Sequence, residues 1–172
     1  GKSALIFWGG WDGHTPDRSA EIARQMLVRN GFEVQVENGT SILAAADLGG
    51  FDLIVPMITM SEIEKQELAA LTAAVRAGTG LAGAHGMMCD AFRKEPEYQF
   101  MTGGQWVAHP GNDKVRYRVN ITDQSHPVAR GIGDFEVVSE QYYLHVDPAV
   151  KALAVTLMPV ADGPHVANGP VR

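Results

Sequence analysis

The sequence predicts a three-layer α/β domain, in which a mostly parallel sheet carries helices on both faces. Residues 3–8, 51–57 and 80–84 are short, nearly continuous apolar runs, which is typical of strands buried on both sides. Residues 32–36 alternate between apolar and polar and form a further strand. Helical patterns follow the strands at residues 3–8 and 51–57. The resulting β-α-β-β-α-β order along the chain is that of a parallel sheet.

The first helix is predicted from its two ends. Thr15 is a good N-cap residue, and Pro16 suits the first helical position. Gly31 can adopt the left-handed conformation that ends a helix. Between these ends, two i,i+4 pairs are expected on one helix face, namely Ile22 with Met26 and Ala23 with Leu27.

The second helix is predicted from a capping box. Residues 61–64 read Ser-Glu-Ile-Glu, so the helix is expected to open at Ser61. Its sheet-facing side chains are then Leu68, Leu71 and Val75, and Gly78 ends it.

The pattern changes after Phe92. Residues 115–121 alternate, which predicts a strand exposed on one side, and residues 136–138 and 152–157 are predicted as further strands. From its length we expect one domain over residues 1–172. The chain stops after a polar segment rich in glycine and proline, so we expect this domain to continue past Arg172.

Composition narrows the function classes. The formal net charge is −6 and lysine and arginine do not cluster, which argues against a nucleic-acid or anionic-membrane surface. Cys89 is the single cysteine, so no intrachain disulfide can form. We expect no signal peptide, and no apolar run in the sequence reaches about 18 residues. A cytoplasmic protein is therefore expected, and self-association into a homo-oligomer stays open.

Histidine stands beside glycine or an aromatic residue in four short stretches at the ends of predicted strands. These stretches are residues 9–14, 83–86, 103–110 and 139–145. Ligands of an open α/β sheet bind in the loops that leave the carboxyl ends of its strands. Histidine can act there as an acid, a base or a metal ligand near neutral pH. The sequence therefore predicts a site formed by these loops.

The four motifs together resemble the ThuA-like (trehalose utilisation) family of the class I glutamine amidotransferase-like superfamily. The motifs that carry the resemblance are residues 8–14, 83–92, 103–110 and 139–143. The resemblance spans nearly the whole chain. It implies a flavodoxin-like fold, a place in sugar utilisation and a small-molecule carbohydrate as the substrate.

Two positions depart from the patterns that the resemblance implies. The amidotransferase nucleophile elbow has the form Gly-x-Cys-x-Gly, and here His85 stands where that cysteine would be. Glutamine hydrolysis through a thioester is therefore not expected. Members of the ThuA-like family commonly have glycine at the position of Met87, and the larger side chain is expected to narrow the mouth of the pocket.

His85 and Glu140 are the candidate catalytic residues. The electropositive start of a helix keeps an imidazole such as that of His85 neutral, so it can serve as a base or a metal ligand. The structural alternative is a histidine that caps the turn through hydrogen bonds. Glu140 could orient a histidine or act as a base. On a strand it would share a face with Tyr142, whereas His145 would lie on the other face.

The candidate substrate-binding residues divide into an aromatic wall and a polar set. Aromatic rings could stack on a sugar, but a half-buried tryptophan more often packs in the core. Each polar residue also has a structural interpretation. The glycines around His14 could simply form a tight turn, His109 could belong to a rigid loop, and Asp90 could form an ion pair with Arg93. The candidates are Trp11, Trp106 and Tyr142 in the wall, and His14, Asp90 and His109 in the polar set.

Zinc is the metal that these residue types would suit. Catalytic zinc has three protein ligands and an open position, but the spacings here match no local zinc signature. The candidate ligands are His14, His85, His109, His145 and Glu140. The alternative is a metal-free site in which His85 is an acid/base residue. Cys89 lies on the helical face of His85 and could join a metal site, but a small buried hydrophobic role is the simpler interpretation.

Two functional hypotheses follow. The first is an enzyme of carbohydrate utilisation that acts on a sugar or an oxidised (keto) sugar by histidine acid/base chemistry, through hydrolysis, isomerisation or elimination. The second is a non-catalytic sugar-binding or accessory protein that has the amidotransferase-like fold without its nucleophile.

Overall fold

The structure is a computed structural model that describes residues 1–159 and 170–171. The chain divides into two compact units, Gly1–Thr102 and Gly103–Arg172, called here the first and the second unit. Among the described residues, no helix is long and apolar enough to cross a membrane.

A four-stranded parallel sheet forms the centre of the first unit. Its strands are β1 (Lys2–Gly10), β2 (Phe32–Asn38), β3 (Leu53–Thr59) and β4 (Gly80–Leu81). They lie in the order β2-β1-β3-β4, and every pair is parallel. This is the order of a flavodoxin-like sheet, so the predicted fold class is confirmed. The fourth strand is shorter than predicted, because residues 82–84 are not part of it, although the Ala82 N–H still donates to the Ile54 carbonyl of β3 at 3.2 Å.

Five helices accompany this sheet, with 3-10 turns at Asp12–His14 and Leu48–Gly50. The helices are α1 (Pro16–Arg29), α2 (Ile42–Ala45), α3 (Lys65–Ala77), α4 (Gly86–Cys89) and α5 (Pro96–Thr102).

Strand β1 explains why helices cover both faces of the sheet. Its side chains alternate between the faces, and those of residues 4–7 are all fully buried. Ala4 and Ile6 pack in a cluster with the buried side chains of α1. Leu5 and Phe7 belong to a second, larger cluster that includes side chains of α2, α3 and α5. The predicted three-layer arrangement is therefore present in the first unit.

Helix α1 differs from its prediction at two points. Ala23 and Leu27 are buried with Ala20, whereas Ile22 and Met26 are 67% and 54% exposed. Each exposed residue lies one position, or about 100°, away from a buried one, so the two pairs do not share a face. The expected side-chain cap is also wrong. Thr15 has a left-handed backbone (φ 46°) and makes no side-chain cap bond.

Helix α3 begins at Lys65, not at the predicted Ser61. The capping box is formed one turn later, by Glu64 and Glu67. The Glu67 carboxylate accepts hydrogen bonds from the Glu64 backbone N–H (3.0 Å) and from the Thr40 hydroxyl (2.8 Å). That second, distant donor favours the later start. The predicted inward positions of Leu68 and Leu71 are confirmed, and Val75 packs partly buried against the same cluster.

The second unit is built from antiparallel strands. Strands β5 (Gly104–Ala108) and β8 (Tyr143–Val146) form a two-stranded pair. A four-stranded sheet has the order β10-β9-β6-β7, with β6 (Val115–Ile121), β7 (Phe135–Ser139), β9 (Ala154–Leu157) and β10 (Pro170–Val171). The three predicted strands of this region are confirmed, and Arg116 and Arg118 on β6 are exposed as the alternation predicts.

Candidate functional site

His85 lies at a strained turn between a strand and a helix. Its backbone has φ 59° and ψ −148°, a conformation that costs a residue other than glycine roughly 1–3 kcal/mol. A sharp, strained turn of this kind presents the nucleophile in enzymes with a nucleophile elbow. Here it leaves His85 exposed to solvent.

Glycines on both sides allow this turn to pack closely. A Cβ atom on Gly86 would lie 2.9 Å from the methyl carbon of Thr59, and one on Gly83 would lie 2.9 Å from the sulfur of Met88. The thiol of Cys89 donates to the backbone carbonyl of His85 at 3.4 Å. That contact places the sulfur against the backbone of the turn, and Cys89 is half-buried.

His14 lies next to His85, in the 3-10 turn that follows β1. The two ring centroids are 5.2 Å apart and the rings are almost perpendicular. The Nδ1 atom of His14 is 2.7 Å from the hydroxyl oxygen of Thr59, at the carboxyl end of β3. The loops that follow β1 and β4 thus bring the two histidines together beside the end of β3.

Gly10 allows β1 to approach the end of β3. It has φ 79°, and a Cβ atom there would lie 2.0 Å from the backbone oxygen of Thr59. The same oxygen accepts a hydrogen bond from the N–H of Trp11 at 3.3 Å. The Trp11 ring contacts the His14 ring edge-on, with 4.7 Å between the ring centroids. Trp11 is 53% exposed. An exposed aromatic ring therefore lies beside the histidine pair.

Asp90 is held in an ion pair. Both of its carboxylate oxygens accept hydrogen bonds from Arg93, at 2.9 and 2.8 Å, and the residue is buried. Its backbone oxygen also accepts from the N–H of Met60 at 3.0 Å. These contacts favour the structural alternative for Asp90 over substrate binding.

The second unit brings together four of the predicted residues, His109, Glu140, Trp106 and Tyr142. The Nε2 atom of His109 is 3.7 Å from a carboxylate oxygen of Glu140, and both side chains are partly buried. Tyr142 stacks on the His109 ring with 6.2 Å between centroids, and Trp106 is tilted against that ring at 5.5 Å. Glu140 thus lies beside a histidine, at a distance that suits an ion pair but is longer than a hydrogen bond.

Tyr117 anchors the backbone at Glu140. Its phenol donates to the Glu140 carbonyl oxygen at 2.8 Å. Burial raises the pKa of Tyr117, and the charge of Glu140 raises it further. The phenol therefore stays protonated at neutral pH and remains a donor.

His145 differs from these four residues in its exposure and in its ring contact. It is an exposed residue of β8, paired in register with Gln105, and its ring contacts that of Tyr143 at 6.2 Å. Tyr143 and His145 share a strand face, as the alternation predicts.

Two positioning residues were not found from the sequence. Thr59 ends an apolar strand, and its polar character there is the only signal. Gln141 is buried and donates to the Thr156 hydroxyl (2.7 Å) and to the Leu157 carbonyl (2.9 Å). It thereby fastens the segment at Glu140 to β9.

A pocket of about 900 Å³ lies in the second unit, with Arg116 and Arg118 in its lining. Most of its lining is apolar, with Leu157 and Met158 among the contributors. Its uncharged polar lining includes Tyr117 and Gln141, which are already bonded to protein atoms.

Among the described residues, no three His, Cys, Asp or Glu side chains are grouped so that they could hold a metal ion. The structure places His14 beside His85 and His109 beside Glu140. The zinc centre of His14, His85, His109, His145 and Glu140 stays a prediction.

Elemental analysis tests that prediction. If zinc is bound, protein purified without an affinity tag will contain about one equivalent, and chelation will abolish activity. If His85 acts without metal, the zinc content will be far below one equivalent and activity will not respond to chelator. Zinc at one equivalent in protein whose activity survives chelation would contradict a catalytic metal.

The fold and the histidine turn define a flavodoxin-like α/β protein whose elbow carries histidine. A family model for ThuA, described as trehalose utilisation, matches residues 3–171, and the chain belongs to that family. The protein is therefore related to carbohydrate utilisation.

Solved structures agree on the fold. A protein described as ThuA-like from Bacteroides uniformis has a TM-score of 0.78 at 17% identity, over 99% of this chain and 75% of that one. A second such protein, from Parabacteroides merdae, has a TM-score of 0.66 at 18% identity, over 90% and 67%. A protein from Thermoplasma acidophilum described as one of the subunits of GMP synthase has a TM-score of 0.52 at 11% identity, over 90% and 73%. No curated protein matches the sequence.

Proposed function

We propose that this protein is an enzyme of carbohydrate utilisation that acts on a sugar or an oxidised (keto) sugar by proton transfer through His85. The observation that carries the proposal is the strained backbone of His85, which presents its imidazole beside His14. Strain of this kind persists where the surrounding structure enforces it, and it is concentrated at active sites. A histidine that only capped the turn would have no need of it.

The histidine pair is suited to reactions that move a proton. A neutral imidazole at His85 can remove a proton from a carbon next to a ketone, from a hydroxyl group or from water. Removal of a proton from the carbon or from the hydroxyl group would lead to elimination or isomerisation of a keto sugar. Removal of a proton from water would lead to hydrolysis of a glycoside. The exposed Trp11 ring offers an apolar face for stacking against a pyranose.

The direct experiment is a substrate screen. Purified protein is incubated with 3-keto disaccharides and with the unmodified disaccharides, products are detected by mass spectrometry, and binding is measured by calorimetry. Conversion of any of these sugars supports the proposal. Failure to convert or bind any of them contradicts it.

The second candidate function is non-catalytic sugar binding. It is favoured by the exposed Trp11 beside His14, and by the absence of the nucleophilic cysteine from the elbow. In the same screen this function predicts saturable binding of a disaccharide without any product.

The substitution Glu140→Gln tests whether Glu140, in the second unit, contributes to turnover. The substitution keeps the size of the side chain but removes the charge that lies 3.7 Å from His109. If Glu140 orients a histidine, turnover will fall by less than the roughly 10²-fold that marks the lower end of direct acid/base catalysis. Glu136→Gln is the matched control, because Glu136 is an exposed partner of Arg116 in the same unit. An equal, small effect of both substitutions would contradict a role for Glu140.

A further inference from the structure

We infer that Thr59 is a positioning residue that fixes His14 in the tautomer with its proton on Nε2, so that His14 offers a hydrogen-bond donor at the site. The tautomer is a property of the folded protein alone. Its catalytic consequence rests on the proposed function.

The argument begins with the hydroxyl group of Thr59. Thr59 is only 1% exposed, and its oxygen lies 2.7 Å from Nδ1 of His14. Among the described residues, His14 is the one side-chain hydrogen-bond partner that the structure gives this hydroxyl. A hydroxyl has one hydrogen to donate, and buried donors in proteins are almost always satisfied.

Only one direction of this hydrogen bond satisfies both groups. If Nδ1 of His14 donated its proton, the Thr59 hydroxyl would accept, and its own hydrogen would be buried without an acceptor among the described residues. If Thr59 donates, Nδ1 is the acceptor, and both the hydroxyl hydrogen and Nδ1 are satisfied. A neutral imidazole that accepts at Nδ1 carries its proton on Nε2.

The neighbouring glycines hold Thr59 in this orientation. A Cβ atom on Gly10 would meet the Thr59 backbone oxygen at 2.0 Å, and one on Gly86 would meet its methyl carbon at 2.9 Å. The turn after β1 and the elbow of His85 therefore enclose Thr59 from two sides. Its backbone and its methyl group face those two contacts, and its hydroxyl faces His14.

This tautomer divides the chemical work between the two histidines. In this tautomer Nε2 of His14 is a hydrogen-bond donor, the kind of group that stabilises an oxygen on which negative charge develops. The same nitrogen has no free lone pair, so His14 can neither take a proton there nor bind a metal in this state. The proton acceptor of the pair is then His85, in agreement with its proposed role.

Nitrogen-15 NMR of the imidazole groups tests the tautomer directly. The spectrum is recorded on labelled wild-type protein at a pH where the histidines are neutral, and His14 is assigned by the signals lost in His14→Gln. We expect His14 to show an unprotonated Nδ1 and a protonated Nε2. His126 is an internal reference, because its Nδ1 accepts from the Val128 N–H at 3.2 Å. A protonated Nδ1 in His14 would overturn the inference.

Two variants of Thr59 separate the hydroxyl from the shape of the side chain. Thr59→Ser keeps the hydroxyl and should preserve the His14 tautomer, whereas Thr59→Val keeps the shape and should convert His14 to a mixture of tautomers. Where a substrate is turned over, Thr59→Val should lower kcat more than it raises KM, and Thr59→Ser should restore much of the rate. An unchanged tautomer in folded Thr59→Val would contradict the inference. If Thr59→Val does not fold, the wild-type and Thr59→Ser spectra still decide.

The outcomes for the two proposals are separable. A protein with the Nε2–H tautomer that converts no sugar would overturn the proposed function and leave the role of Thr59 intact. A protein that converts a sugar with Nδ1 of His14 protonated would overturn only the role of Thr59.

Discussion

Replacing His85 with alanine is expected to lower turnover by about 10²–10⁴-fold, the usual contribution of a residue that transfers a proton in the transition state. The imidazole is exposed at the turn between β4 and α4, and its ring contacts that of His14. With Nε2 of His14 carrying a proton, that residue cannot take over as base. The measurement is kcat with the sugar that the substrate screen identifies.

A second substitution at the same position separates loss of the imidazole from loss of the fold. Both His85→Ala and His85→Gly remove the side chain, but only glycine adopts φ 59° without strain. His85→Gly should therefore unfold at higher denaturant concentration than His85→Ala, while turnover falls to a similar extent in both. His126→Ala is the activity control, because His126 is a partly buried histidine in the second unit that is no candidate site residue. Turnover that survives both substitutions at His85 would refute its role.

The parts of the fold that the sequence predicts are those set by local pattern. Strands β1 and β3 are continuous apolar runs, and their burial on both faces follows from that pattern alone. The start of α3 was misplaced because two capping boxes overlap in residues 61–67, and the choice depends on Thr40, a residue 27 positions from Glu67. A contact at that separation cannot be inferred from the local pattern.

In the candidate site, too, only the features that follow from general rules of the fold could be predicted from the sequence. The approach of His14 to His85 follows from the rule that loops at the carboxyl ends of parallel strands share one edge of the sheet. Thr59 was missed because threonine is also a common strand residue, and only its burial and its 2.7 Å contact give it a role. The zinc centre was proposed from residue types, but a metal site depends on distances between distant residues that the sequence does not contain.

The largest expected loss of stability comes from Gly10→Ala. An alanine at this position would meet two penalties, because the backbone has φ 79° and the new Cβ atom would lie 2.0 Å from the backbone oxygen of Thr59. The left-handed backbone alone costs roughly 1–2 kcal/mol. The overlap adds to that cost, because the neighbour is backbone at the end of an inner strand and cannot rotate away as a side chain could.

Gly39→Ala is the matched control for this prediction. Gly39 has φ 84°, and a Cβ atom there would have no heavy atom within 4 Å, so only the cost of the left-handed backbone applies, roughly 1–2 kcal/mol. We therefore expect Gly10→Ala to reduce the free energy of unfolding by clearly more than Gly39→Ala, as measured by urea denaturation. It should also disturb the NMR signals of His14, because β1 can avoid the overlap only by moving away from Thr59, which holds that ring. Equal losses of stability in the two variants, with unchanged His14 signals, would show that the close approach of Gly10 to Thr59 does not constrain the site.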